Sequence, residues 1–499
     1  MPALITDPQH TISVPRAATL KSSLWWIALA VLAVAVYLGT TGALPLVGRD
    51  EPRYVQIGRA MLQSGDWVTP RLGGFHWFEK PVLLYWMVAA SFGIFGVSEW
   101  AARLGPALCG LGSAALLWWM VRPISEGAAR WSALVAASCV GLLAFSHGAT
   151  FDIVLTFSLA LALSAWWRAQ IEPDARRARR WLALFWVGVG LAFLSKGLIA
   201  FVLPALTLAF YAGLCAASGQ KQGRLKVGFW WGLPLALLVG ALWYGPVIWR
   251  NGMEFVNIFF VQHHFARFTS DKFKHHQPLW FYLEILPLLL LPWTPFLLAA
   301  IWKTRHHLRA ATPQSRLLVY AWAWLLAPIA FFSLSGSKLP GYILPALPGA
   351  CVIVGLFLQE WASTTGRRRF AGALVALTLV GGALLATSPK GIAIAERDSV
   401  RGLFAVAHAR GLDGVRVAHF RTTSRTAEFY AAKKLIYDKE GEPLRLETPA
   451  QIALLTRDEP LLVLVAPDKR ALLKAPELRV EEIARNPKTQ LVLVRRVAS

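Results

Sequence analysis

The chain reads as an all-α polytopic membrane protein with a small α/β domain at its C-terminal end. Three observations predict this. Hydrophobic residues make up 56% of the 499 residues and charged residues only 16%, more apolar surface than a water-soluble fold hides. Apolar runs of spanning length recur through residues 24–387. Beyond 388 the composition changes: charges become regular and no run is long enough to span.

The net charge of +23, from 51 Lys+Arg against 28 Asp+Glu, would raise nucleic-acid binding in a soluble protein. No nucleic-acid module is visible, and a polytopic membrane protein gathers basic residues in its cytoplasmic loops. Cys109, Cys139, Cys215 and Cys351 each lie in an apolar run without ligand spacing. They read as buried small hydrophobes rather than a disulfide framework.

Residues 1–23 form a polar tail, read as cytoplasmic. The first span, 24–46, is long for a signal peptide and reads as a retained helix. Further spans are expected at 104–121, 131–147, 150–167, 181–195, 198–217, 228–248, 279–300, 317–335, 341–359 and 371–387. The run 82–97 is shorter than a usual span, and charge decides its fate. If it does not cross, the connections 122–130, 168–180, 218–227, 301–316 and 360–370, with basic residues such as Arg122, Arg168, Arg180, Arg224, Arg316 and Arg368, all face the cytoplasm. If it crosses, they all face outward, against the positive-inside rule. It is therefore read as re-entrant or interfacial, giving eleven spans. Outer loops at 47–103 and 249–278 and a C-terminal domain at 388–499 then face the exterior.

In that domain Val415–Phe420, Leu461–Ala466 and Leu491–Val494 read as short buried strands. Ser424–Lys434 reads as a helix, and Thr448-Pro449 as a helix start.

The outer face carries the chemistry. Arg49-Asp50-Glu51-Pro52-Arg53-Tyr54 opens the first loop, with Asp50 as a helix cap and Pro52 in the first turn. Tyr54, Ile57, Met61 and Leu62 then share one face of an amphipathic surface helix that stops at Gly65. Phe78-Glu79-Lys80-Pro81 sits just before the 82–97 helix. Asp152 opens an otherwise apolar span, an expensive place for an acid and a functional candidate. Lys196, Lys338 and the cations of 249–278 (His263, His264, Arg267, Lys272, Lys274, His275, His276) suit a lipid-linked phosphate. Adjacent histidines alone are no metal signature. Carboxylates to manage a sugar and cations to hold a phosphate, at a bilayer surface, suggest glycosyl transfer from a polyprenyl-phosphate sugar. A transporter would place its ionisable groups near the midplane and often show inverted repeats; neither is evident. A non-catalytic membrane scaffold is the other alternative.

The stretches Gly48–Tyr54, Ser64-Gly65-Asp66-Trp67, Phe78–Pro81, Leu84-Tyr85-Trp86, Leu194–Gly197, His264–Phe268, Gln277–Trp280, Leu291-Pro292-Trp293 and Phe331–Pro345 occur in order. Together they resemble the C-type (GT-C) membrane glycosyltransferases of the dolichyl/undecaprenyl-phosphate sugar class, especially the lipid A 4-amino-4-deoxy-L-arabinose transferases. The resemblance implies a GT-C fold with juxtamembrane helices in the first outer loop. It implies a polyprenyl-phosphate sugar donor, a lipid or glycan acceptor such as lipid A, and transfer at the periplasmic face. Its catalytic carboxylates fall on Asp50, Glu51 and Asp152. Its substrate contacts fall on Arg53, Tyr54, Glu79, Lys80, Tyr85, Lys196, His264, Arg267, Lys338 and Tyr342. A divalent cation is associated with the fold, which points to Glu79 and His264 as its ligands. No other cofactor is implied.

Overall fold

The computed structural model describes residues 16–220, 223–260, 277–304, 310 and 312–497. Helix α1 (Arg16–Gly39) is followed by two juxtamembrane helices, α2 (Asp50–Ser64) and α3 (Leu83–Phe95). A small antiparallel hairpin, β1 (Arg71–Leu72) with β2 (Phe75–His76), lies between them. The bundle continues through α4 (Glu99–Val121), α5 (Glu126–Ser138), α6 (Val140–Ser146), α7 (Phe151–Ile171), α8 (Ala175–Lys196), α9 (Ile199–Ala217) and α10 (Phe229–Val256). After it come α11 (Phe281–Leu289), α12 (Thr294–Thr304), α13 (Pro313–Ser333), α14 (Leu347–Trp361) and α15 (Thr365–Thr387).

Among the described residues, eight helices are long and apolar enough to cross a membrane, and two bent pairs raise this to ten. The first expected span falls on the apolar stretch Leu24–Gly39 within α1, which is shorter than these helices. The bent pairs, α5 with α6 at 55° and α11 with α12 at 111°, are the expected spans 131–147 and 279–300, each broken rather than straight. At the second break Pro292 has no N–H to continue the helix. The pair still runs from one end of the bundle to the other. The Tyr282 hydroxyl donates to the Leu339 carbonyl at 3.2 Å, while Phe296 meets Trp361 at 5.2 Å. The four cysteines are free and buried, as expected.

Helix α3 spans Leu83 to Phe95, 13 residues, about 20 Å of helix and short of a bilayer core. At the opposite end of the bundle, arginines of the basic connections lie over tryptophan rings: Arg122 on Trp118 at 4.8 Å, Arg168 on Trp119 at 5.0 Å and Arg179 on Trp231 at 5.4 Å. Amphipathic rings with cationic partners suit the membrane–water boundary.

The C-terminal region adds α16 (Pro389–Glu396), α17 (Arg401–Ala409), β3 (Arg416–Phe420), α18 (Ala427–Tyr430), β4 (Arg445–Leu446), α19 (Pro449–Leu455), β5 (Leu461–Val465), β6 (Leu478–Arg485) and β7 (Gln490–Arg496). The sheet order is β4-β3-β5-β7-β6. Strand β3 runs parallel to β4 and β5, and β7 pairs antiparallel with β5 and β6. Alternate residues of β3, β5 and β7 feed separate apolar clusters on the two faces, so these central strands are buried throughout. The expected helix Ser424–Lys434 shrinks to α18 and a 3-10 turn at Ala432–Lys434, because Ala432 adopts φ +49° and breaks the helix. Helix α19 begins as expected at Pro449, with Thr448 and Gln451 forming a capping box around its first turn.

Candidate active site

Helix α2 begins at Asp50 itself. Arg49 is the N-cap and offers no side-chain cap, so Asp50 does not cap the helix as expected. Pro52 lies in the first turn, and Gly65 closes the helix with φ 71°. Nor does α2 lie open on a surface: Glu51, Tyr54, Val55, Gln56, Ile57, Gly58 and Met61 are all buried. A Cβ on Gly58 would stand 2.7 Å from Val88 Cγ1, so this glycine lets α2 settle directly on α3.

Successive helical residues point about 100° apart, and the two acids separate accordingly. The Asp50 side chain is exposed. Glu51 is buried, and both its oxygens are doubly engaged. Arg103 grips it with Nε to Oε1 at 2.7 Å and Nη2 to Oε2 at 2.9 Å. The backbone N–H of Ala149 donates to Oε1 at 3.0 Å and that of Val47 to Oε2 at 3.2 Å. Arg103 spends its remaining donors on the carbonyls of Thr41, Leu44 and Pro45. A carboxylate offers about four acceptor positions, and Glu51 has filled them.

Three carboxylates from separate segments converge on the Tyr54 phenol. Burial first, then the charges of Glu79, Asp50 and Asp152, hold Tyr54 well above its usual pKa. Tyr85 is raised in the same way by burial, Glu79 and Asp50. Tyr54 and Tyr85 both meet Phe151 edge-on, at 4.9 and 5.3 Å, which locks the two juxtamembrane helices onto the first turn of α7.

That turn carries Asp152. Its Oδ1 accepts a hydrogen bond from Lys196 Nζ at the last turn of α8. The ammonium also lies 4.5 Å from the centre of the Tyr342 ring. Both side chains retain some exposure, 21% for Asp152 and 17% for Lys196, so the pair is not sealed from a ligand. The Gly341 backbone presses on the same carboxylate: a Cβ there would stand 2.6 Å from Asp152 Oδ2.

Glu79 and Lys80 form a 3.4 Å ion pair and are partly exposed. Arg53 stacks on Trp77 at 5.1 Å and faces Glu428 of the C-terminal domain. Lys338 is buried, and its ammonium donates to the carbonyls of Ser335 at 2.8 Å and Gln277 at 3.1 Å. It ties its loop to the segment at Gln277, in contrast to the open phosphate contact expected of it. Part of the expected loop 249–278 is helix, since α10 runs to Val256 with a break at Gly252. His263, His264, Arg267, Lys272, Lys274, His275 and His276 lie outside the described residues. Among the described residues no group of three His, Cys, Asp or Glu is placed to hold a metal ion. The expected cation ligands Glu79 and His264 are therefore half outside what the structure describes.

Against known proteins, the model for dolichyl-phosphate-mannose-protein mannosyltransferases matches residues 22–308, more than half of the chain. The chain belongs to this family. Among curated relatives it is 36% identical over 318 residues to the undecaprenyl phosphate-alpha-4-amino-4-deoxy-L-arabinose arabinosyl transferase of Pseudomonas aeruginosa (strain UCBPP-PA14), covering 62% of this chain and 55% of that protein. It is 31% identical to the protein of the same name from Edwardsiella ictaluri (strain 93-146), covering 75% of this chain and 67% of that one. The matched part spans about half the length of several such relatives. Among solved structures, ArnT from Cupriavidus metallidurans bound to undecaprenyl phosphate superposes with a TM-score of 0.78 at 23% identity, over 95% of this chain and 98% of that one. The Archaeoglobus fulgidus oligosaccharyltransferase gives 0.52 at 14%, over 87% and 66%. This family member therefore has the GT-C fold expected from its sequence.

Two partners in the site escaped the sequence reading. Arg103 opens an apolar span, and a charge there is costly enough to have signalled a partner. Glu428 had no such signal, because acids are ordinary in a water-exposed domain.

Proposed function

We propose that this membrane protein transfers a sugar, 4-amino-4-deoxy-L-arabinose, from undecaprenyl phosphate to an envelope acceptor such as a lipid A phosphate. The observation that carries this reading is the convergence of Asp50, Glu79 and Asp152 with Lys80 and Lys196 beside Tyr54 and Tyr85 at one end of the bundle. The names of the relatives support the choice of sugar and carrier. The basic connections at the other end support a cytoplasmic assignment for that end and a periplasmic one for the site.

In this scheme the bond from the anomeric carbon to the carrier phosphate breaks as the acceptor oxygen attacks from the opposite face, with inversion. Lys196 and Lys80 hold the phosphate as its charge grows. Asp152 keeps the Lys196 ammonium in place. Asp50, exposed and with no ion-pair partner among the described residues, faces the sugar and stabilises its oxocarbenium character. An acceptor phosphate is already anionic and needs no general base; a hydroxyl acceptor would take its base from Asp50. We assign Glu51 to holding the start of α2 rather than to the reacting centre, because Arg103 and two backbone N–H groups occupy it. Lys338 likewise holds its loop.

Mass spectrometry of envelope lipids tests the proposal, comparing cells that express the protein, cells that lack it and an Asp50→Asn strain. An aminopentose-sized addition to lipid A should appear only with the intact protein. Loss of a different glycosylated product in both altered strains would keep the transferase and discard the acceptor. Full modification in the Asp50→Asn strain would remove Asp50 from catalysis.

A further inference from the structure

Glu428 is completely buried although it belongs to the C-terminal domain. Its carboxylate is inserted between two arginines. Arg425, three residues earlier, donates to Oε1 at 3.0 Å and is itself bound on its other side by Glu442. Facing it from the juxtamembrane helix, Arg53 Nε stands 3.5 Å from Oε2. Arg53 is then clamped from behind by the Trp77 ring. Two further contacts carry the same strut. Arg59, on α2, donates to the Phe429 carbonyl at 2.6 Å and lies 4.5 Å from the centre of its ring. Tyr430 donates to Glu99 at 2.9 Å and accepts from the Leu46 N–H at 2.9 Å.

A single carboxylate without solvent is costly unless it is paired. Replacing it by an apolar side chain of similar volume would cost the isolated domain little, so its burial against α2 calls for a reason. The reason is offered by what α2 carries. Arg53 lies one turn from Asp50 and next to Tyr54, so a force on its guanidinium acts on the turn that presents the sugar-facing carboxylate. Neither Arg53 Nε nor Glu428 Oε2 makes a hydrogen bond with good geometry. This contact therefore acts through charge, and the hydrogen bonds of Arg59 and Tyr430 beside it supply the direction.

We infer that Glu428 is a positioning residue: acting through Arg53, it fixes the first turns of α2 and so makes the C-terminal domain a structural part of the transfer site. The inference rests on the proposed transferase reading for its kinetic consequence, but not for its structural one.

The full-length protein in lipid nanodiscs provides the test, as wild type, Glu428→Ala, Glu428→Gln, Arg53→Met and Arg53→Met with Glu428→Gln. Two readouts are needed. One is amide hydrogen exchange across residues 50–64, with α7 as the internal reference. The other is kcat and KM for an undecaprenyl-phosphate-linked aminoarabinose donor. Glu428→Ala should speed exchange in the first turns of α2 while α7 keeps its protection. It should lower kcat by about 10- to 100-fold, the scale of a small misplacement of reacting groups, with KM for the donor little changed. Glu428→Gln keeps the shape and one acceptor, so it serves as the test if the alanine variant does not fold, and should give an intermediate loss. The double variant should lose no more than Arg53→Met alone, because the two act as one unit.

Unchanged exchange in α2, or strictly additive losses, would overturn the inference. A wild-type protein that transfers nothing from this donor, with exchange still raised in Glu428→Ala, would remove the transferase reading and leave the positioning role standing.

Discussion

Lys196 at the end of α8 donates a hydrogen bond to Asp152 at the start of α7, with the Tyr342 ring beneath its ammonium. The two helices are antiparallel neighbours, so the pair closes one end of their interface. In the proposed reaction, a cation held this way is fixed in position before the donor binds. Preorganised charge of this kind is worth far more at a reacting centre than a mobile lysine.

Lys196→Met should therefore raise KM for the donor and lower kcat, whereas Asp152→Asn should act mainly on kcat by loosening the lysine. Losses of about 100- to 1,000-fold are on the scale of a deleted charge-stabilising group. Steady-state kinetics of the two singles and the double variant check this. Additive losses would show that the residues act separately.

Gly341→Ala probes the same carboxylate without touching it. The new methyl would stand 2.6 Å from Asp152 Oδ2 and 2.7 Å from the Phe145 ring, so something must shift. Overpacking of this sort costs about 1–3 kcal/mol of stability. Activity should fall further than that destabilisation explains, because the carboxylate is driven from Lys196. Wild-type turnover in this variant would mean that the Asp152 position is not critical.

Asp50 and Glu51 should respond in opposite ways although they are adjacent. Asp50→Asn, at an exposed position, should change stability by no more than about 0.5 kcal/mol and should abolish transfer. Arg103→Met leaves Glu51 as an unpaired buried charge and should cost about 3–5 kcal/mol, enough to compromise folding. Thermal unfolding in nanodiscs separates the two. An Arg103→Met protein as stable as wild type would contradict the burial argument.

Acid should weaken the C-terminal domain through His419. Burial on β3 pushes this imidazole down from 6.5 to about 4. Between those values the unfolded chain binds a proton that the folded chain does not. The histidine's contribution to stability is thus complete above pH 6.5 and is lost as pH falls toward 4, with a slope approaching about 1.4 kcal/mol per pH unit. Glu428 works in the opposite sense: burial raises its pKa, so stability is lost as pH rises through its folded value. Comparing His419→Leu with wild type isolates the histidine. The pH dependence of hydrogen exchange in β3 should flatten between 6.5 and 4 in the variant. An unchanged profile would assign the acid sensitivity elsewhere.

Hydropathy and charge placement alone determined the membrane bundle, the short apolar helix after Pro81, the buried cysteines and the strands around Val417, Val463 and Val492. These features follow from local composition, since a span or a buried strand must be apolar along its own length. Sequence also singled out Asp50, Glu79, Asp152 and Lys196, because charge beside a span is costly and draws attention. Only the tertiary structure decided what each charge faces. Asp50 and Glu51 are equivalent acids in the sequence. They differ because one helical step turns Glu51 toward Arg103, which comes from the next span. Lys338 and Glu428 could not be understood from their neighbours in the chain alone, since the Gln277 carbonyl of another segment helps engage the first and an arginine of α2 faces the second. Partnership across distant segments is set by packing, and packing is the property that local composition does not record.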